Sequence, residues 1–319
     1  MSATHILSID NGTQSLRALV FDRHGQIKGK SQIFYYPYDQ PAPGQCVKDV
    51  DSYWQALIEA CNQLWQQGVN QNSIAAMSVT SQRGSIVPLD LNGQPLQTAT
   101  LWLDQRKAEQ LEALPWYWNA LFAMAQVRET VANFRKKAAS NWLLANKPDV
   151  FDKTHKWLFI SGYLNFRLTG KYKDSTAAQV GYVPFNFKKQ TWEPHWHWKW
   201  QALAITPEQM PELVESGAVL GNVSSEAAKQ TGLPIGLKIF SAGADKACEV
   251  LGSGGIDSSV ACLSFGTTAT VNVCNPRYQE AIKHMPAYPA ILTGQFCYEV
   301  MLYRGFWMVS WFKEQFGMP

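Results

Sequence analysis

The chain has 319 residues, 46% apolar and 17% charged, a globular composition with length for about two domains. A net charge of +3 is too weak to argue for nucleic acid or an anionic membrane, and no apolar run reaches the roughly 18 residues of a membrane span. The N-terminus lacks the pattern of a secretory signal, and six cysteines without a CxxC pair exclude a zinc ribbon or disulfide scaffold, so the chain reads as a cytoplasmic protein with free thiols.

In chain order, His5–Asp10 and Leu16–Phe21 read as strands, and the turn Asp22–Gly25 leads to a third near Ile27. These predict an antiparallel meander. Asp51 is placed to cap a helix whose apolar stripe is Trp54, Leu57, Ile58, Cys61, Leu64 and Trp65. Strands follow at Ile74–Val79 and Ile86–Leu91, separated by the polar loop Thr80–Gly84, with a turn at Asn92-Gly93. Residues 107–168 read as mainly helical, with a stop at Pro148 and another at Gly170 after a helix carrying Trp157, Ile160, Tyr163 and Leu164. Four tryptophans crowd into 192–200, either a sugar-stacking surface or an aromatic insertion packed on its own domain. His195 and His197 within it have no third ligand nearby and read as a surface pair. A helix over Ser225–Gln230, a strand over Lys238–Ala242 and a helix over Asp245–Leu251 complete an alternation that places the chain in the α/β class.

LSIDNGTQSLR at 7–17 is echoed by LSFGTTATVNV at 263–273, each an apolar strand, a Gly-Thr turn and a second strand. Two such hairpins imply two domains of like construction, each lending one turn to a shared cleft; a chance match of two plain hairpins is the alternative. In the first, Gly12, Thr13 and Gln14 offer backbone N–H groups and side chains for phosphate oxygens, and Arg17 adds a cationic fork. Asp10 at the strand end is placed for Mg²⁺, usually through water. Gly266, Thr267 and Thr268 form the second set of donors. Asp245, between a strand and a helix, reads either as a helix cap or as a general base for a substrate hydroxyl. Gln82, Arg83, Trp102 and Asp104 suit a polyhydroxylated ligand, its C–H face on the indole. An Asp104–Arg106 salt bridge is an equal alternative.

DNGTxSxR, SQRG, WLDQR, GADKA and FGTT occur in an order and spacing that resemble the FGGY carbohydrate kinases, within the actin, Hsp70 and hexokinase-like superfamily. The resemblance implies a ribonuclease H-like mixed sheet flanked by helices, and ATP-dependent phosphorylation of a sugar or polyol hydroxyl. It assigns the metal to Asp10, the ATP phosphates to Gly12, Thr13, Gln14, Arg17, Gly266, Thr267 and Thr268, and catalysis to Asp245. Gln82, Arg83, Trp102, Asp104, Phe134 and Lys246 would face the substrate alongside Asp245. The implied partners are ATP, Mg²⁺ and a small sugar or polyol, without nucleic acid or membrane; a homodimer stays open.

This chain also departs from its relatives. Glycerol kinases carry an acid after the arginine of the Gln-Arg pair, where this chain has Gly84; xylulokinases carry Met-His where it has Arg83-Gly84. The residue after the base is Lys246, and the family's lysine ahead of a tryptophan falls at Ala139. Lys246 has three readings: lowering the pKa of the base, binding an anionic group, or pairing with Glu249. The domains are read as 1–253, binding substrate, and 254–319, the incomplete start of an ATP-binding domain. In that truncated reading Phe306, Trp307, Trp311 and Phe312 are exposed. Two rivals compete with the kinase: an actin-like ATPase without a sugar substrate, and a non-catalytic sugar-binding fragment.

Overall fold

Three opening strands form the expected meander in the computed structural model, which describes residues 3–36, 38–265, 268–302, 305 and 307–317. They are β1 (His5–Asn11), β2 (Ser15–Phe21) and β3 (Ile27–Phe34), paired antiparallel in sequence. Alternation drives them: Leu7, Ile9, Leu16, Ala18 and Val20 point inward and are fully buried. Burying each large apolar side chain stabilises by about 2 kcal/mol. With β4 (Ile74–Ser81), β5 (Val219–Asn222) and β6 (Lys238–Ala244) they make a six-stranded mixed sheet in the order β5-β6-β4-β1-β2-β3. The β1, β4 and β6 strands run parallel, so their carboxyl ends share one edge.

Helix α1 (Asp51–Gln66) buries Trp54, Leu57, Cys61 and Leu64 against this sheet, as its stripe predicts. The expected cap at Asp51 is corrected. Val50 occupies the cap position, and the Asp51 carboxylate accepts Tyr163 Oη at 2.6 Å and Arg167 Nη1 at 2.7 Å. A long-range pair thus outbids the local one. The expected helix through Trp157 is also corrected: Lys156–Phe159 is a strand antiparallel to Ile86–Leu89, and α2 (Ile160–Thr169) starts after it. Trp157 is buried in that strand, so its apolar character marked the core rather than a helix face. Pro148 opens a short helix, Pro148–Asp152, just after the preceding one ends at Asn146.

Three of the four tryptophans at 192–200, Trp192, Trp198 and Trp200, pack into apolar clusters, while Trp196 stands exposed. Trp200 is buried, with Nε1 donating to the Glu193 carbonyl at 3.1 Å, and Trp192 packs beside it. The surface-pair reading of the histidines is corrected for His197: it is half-buried and its Nδ1 accepts the Lys199 N–H, capping the helix Trp198–Leu203.

Beyond α3 (Asp245–Gly252) lies a second, antiparallel sheet: β7 (Ala261–Phe265), β8 (Ala269–Asn275), β9 (Tyr288–Pro289) and β10 (Phe296–Leu302), ordered β7-β8-β10-β9. Val250 of α3 packs with Cys262, Cys274 and Cys297 in its small core. In the last helix, α4 (Trp307–Phe316), Trp311 and Phe312 are exposed; Phe306 and the side chain of Trp307 lie outside the described residues. Among the described residues no helix is long and apolar enough to cross a membrane.

Candidate active site

Strand register builds the site. Asn11 of β1 and Ala244 of β6 both pair with Ser81 of β4, so the next residues, Gly12, Gln82 and Asp245, leave the sheet side by side. Carboxyl ends of parallel strands are where α/β sheets bind ligands. One residue back, Asp10 lies opposite Arg17 across the β1–β2 hairpin, and their side chains pair at 2.9 Å. Gly12 donates its N–H to the Ser15 carbonyl at 3.0 Å, and its own carbonyl accepts Tyr35 Oη at 2.6 Å.

Gln82 is buried and locks the hairpin to the sheet. Its N–H donates to the Asn11 carbonyl at 2.9 Å, its Nε2 to Tyr53 Oη at 2.8 Å, and its Oε1 accepts Thr13 Oγ1 at 2.9 Å. Trp102 Nε1 reaches the same Thr13 hydroxyl at 3.3 Å. Gly84 has φ +73°, a left-handed conformation that favours glycine, and a Cβ there would stand 3.4 Å from Trp102 Cβ.

Asp245 begins α3, and its Oδ1 accepts the Lys246 N–H at 2.7 Å. Burial pushes its carboxyl above the usual range; Arg83 and Lys246 oppose the rise, and the nearby Asp10 carboxylate adds to it. The geometry answers two open alternatives. Lys246 pairs with Glu249 at 2.7 Å and donates to Ser264 Oγ at 2.8 Å, tying α3 to β7. Asp104 pairs with Arg106 through both oxygens and accepts the Cys46 N–H at 2.8 Å, with 4% of its side chain exposed.

Two depressions adjoin these residues. An open cleft is lined by Gly84, Trp102, Asp104, Arg106, Trp142 and Tyr182. Arg106 stacks on Trp142 with its guanidinium 4.1 Å from the ring. Phe134 does not line the cleft; it sits behind it, edge-on to Tyr182 at 5.5 Å. A smaller, shallow hollow is lined by Arg83, Lys246, Asn272, Tyr288 and Glu299. Trp142 is the tryptophan that follows Ala139 in the family's lysine signature; Tyr182 and Glu299 escaped the sequence reading, since neither sits in a polar motif and Glu299 comes from the second sheet. Thr268 leads into β8; Gly266 and Thr267 lie outside the described residues. Among the described residues no three His, Cys, Asp or Glu side chains gather as a metal site.

A family model, the N-terminal domain of the FGGY family of carbohydrate kinases, matches residues 5–252. A xylulose kinase of Lactococcus lactis is 28% identical over 98% of this chain and 62% of its own length. A glycerol kinase of Thermococcus kodakarensis is 30% identical over 78% of this chain and 52% of its own. The chain therefore spans about half to three fifths of these relatives. Among solved structures, a gluconate kinase from Lactobacillus acidophilus superimposes with a TM-score of 0.81 at 24% identity, over 97% of this chain and 62% of that one. The fold is thus the actin- and hexokinase-like α/β fold expected from the sequence. The matched stretch runs from β1 to the last turn of α3 and takes in every residue that the three parallel strands bring to the shared edge, so this chain belongs to the FGGY family of carbohydrate kinases.

Proposed function

We propose that the protein serves ATP-dependent phosphorylation of a hydroxyl on a sugar or polyol, with Asp245 as general base. One observation carries this reading: the register row that pairs Asn11, Ser81 and Ala244 delivers the Gln82–Arg83 pair and Asp245 to one edge, with Asp10 one residue back in the hairpin, opposite Arg17. Membership in a family of carbohydrate kinases supports ATP as the phosphoryl donor. Gly12, Thr13, Gln14 and Arg17 would hold its phosphates from one side and Gly266, Thr267 and Thr268 from the other. Asp10 offers the hard oxygen that Mg²⁺ prefers, next to a second carboxylate whose repulsion a cation would relieve. That cation would offset phosphate charge.

Asp245 takes the proton of the attacking hydroxyl, whose oxygen bonds the γ-phosphorus as the β,γ-bridging bond breaks and ADP leaves. The raised Asp245 pKa suits a proton acceptor. Gln82, Arg83, Trp102 and Lys246 surround the path of the substrate, with Asp104 and Phe134 supporting it from behind. The test is ADP release against a panel of polyols, ketoses and aldonates. One panel member should stimulate release, and Asp245→Asn should lower that stimulated rate by about 10²–10⁴-fold in a folded protein. Undiminished turnover in the variant sinks the base; ATPase activity indifferent to every sugar favours the actin-like reading.

A further inference from the structure

Arg83 does not present an open fork. Its Nη2 donates to both oxygens of Glu299, at 2.6 and 2.8 Å, and the side chains are 15% and 5% exposed. The guanidinium lies 5.2 Å from the centre of the Tyr288 ring. Glu299 is on β10, whose register sets it opposite Asn272 of β8, and all four residues line the small hollow. Position 84 holds a left-handed glycine, so the carboxylate that meets Arg83 comes across from the other sheet.

The charge around Asp245 follows one pattern. Arg17 is held by Asp10, Arg83 by Glu299 and Lys246 by Glu249. With Asp245 itself, three cations face four carboxylates. An incoming carboxylate or phosphate would have to displace Glu299 from a largely buried, two-oxygen contact, and would then lie near Asp245. A hydroxyl meets no such conflict, since it can donate to Glu299 and accept from the remaining guanidinium N–H groups.

We propose that Glu299 is a specificity-determining residue: by neutralising Arg83 it makes this end of the substrate site accept an uncharged polyol or ketose and refuse an acidic sugar. The inference rests on the reading of the site as a sugar site and adds the charge class of the substrate. It gives the second sheet a direct part in substrate choice.

Calorimetric titration of the chain with glycerol, xylitol and D-xylulose, against D-glycerate, D-xylonate and D-gluconate, tests it. The wild type should bind a neutral compound at least about tenfold more tightly than its acid counterpart. Glu299→Gln should narrow or reverse that ratio by tightening the acid, Glu299→Asp should restore it, and Arg83→Gln added to Glu299→Gln should abolish the gain. A wild type that binds neutral and acidic partners alike, or a ratio that Glu299→Gln leaves unchanged, overturns the role of Glu299 while leaving the sugar site standing. Binding of no compound by any folded variant removes the sugar-site reading, and this inference with it. The wild-type ratio decides the matter even if Glu299→Gln does not fold.

Discussion

Asp174 is a fully buried carboxylate between the strand Lys173–Ser175 and α2, and four donors surround it. Ser161 Oγ and Gln179 Nε2 reach its Oδ2 at 2.9 Å each, and the Ser175 N–H and Asn165 Nδ2 reach its Oδ1 at 2.9 and 3.4 Å. Burial outweighs these hydrogen bonds and pushes its pKa from the ordinary 3.8 up to about 6. The unfolded chain therefore releases this proton near pH 4, while the folded chain keeps it until about pH 6. The folded state binds more protons between those values, so its stability falls as pH rises. The full gap corresponds to about 3 kcal/mol, present below pH 4 and lost above pH 6, of which about 2 kcal/mol falls between pH 4.5 and 7.5. Asp174→Asn removes the titration. Its amide would face Gln179 Nε2 donor to donor, a cost that does not vary with pH. Urea unfolding of both proteins at the two pH values isolates the effect. The stability of wild type relative to variant should drop by about 2 kcal/mol from the lower to the higher pH. A difference that stays constant with pH, or a ¹³C carboxyl titration of Asp174 with its midpoint near 4, refutes the reasoning. The consequence reaches the site, because Ala177 and Val180, just past Asp174 in sequence, line the hollow around Arg83.

Gly93 has φ +75° and a Cβ there would sit 2.4 Å from Phe166 Cζ, so Gly93→Ala should cost about 1–3 kcal/mol in urea unfolding; an unchanged midpoint contradicts that packing. Asp104→Ala strands the buried Arg106 guanidinium and the Cys46 N–H, and should lower stability by about 3–5 kcal/mol without any ligand present; a residue that only touched substrate would leave ligand-free stability untouched. Arg83→Gln removes a cation that holds the Asp245 pKa down, so the acid limb of the pH profile of kcat/KM should move to higher pH, where the base loses its proton; a limb that stays or moves down removes Asp245 as the titrating base.

The first hairpin was legible because its information is local. A period of two buries Leu7, Ile9, Leu16, Ala18 and Val20, and that alternation also sets Asp10 and Arg17 opposite each other. The α1 stripe was legible for the same reason at the helical period. Misreadings came where a distant partner decides. Asp51 looks like a cap until Arg167 and Tyr163 arrive from α2, and Trp157 looks helical until Ile86–Leu89 pairs with its strand.

The site divides along the same line. Asp10, Gln82 and Asp245 stand at strand ends, so sequence could find them, and the register row explains why three separate motifs meet. What those side chains do next depends on partners that local pattern does not specify. Asp104 and Lys246 had near neighbours in sequence that could claim them, and Arg106 and Glu249 do. Arg83 had none: Gly84 carries no side chain, and Glu299 lies 216 residues away on another sheet. A motif can thus reveal that an arginine reaches the site without revealing its charge state as the substrate meets it. That charge depends on how the second sheet packs against the first, and choice between neutral and acidic sugars would follow from it.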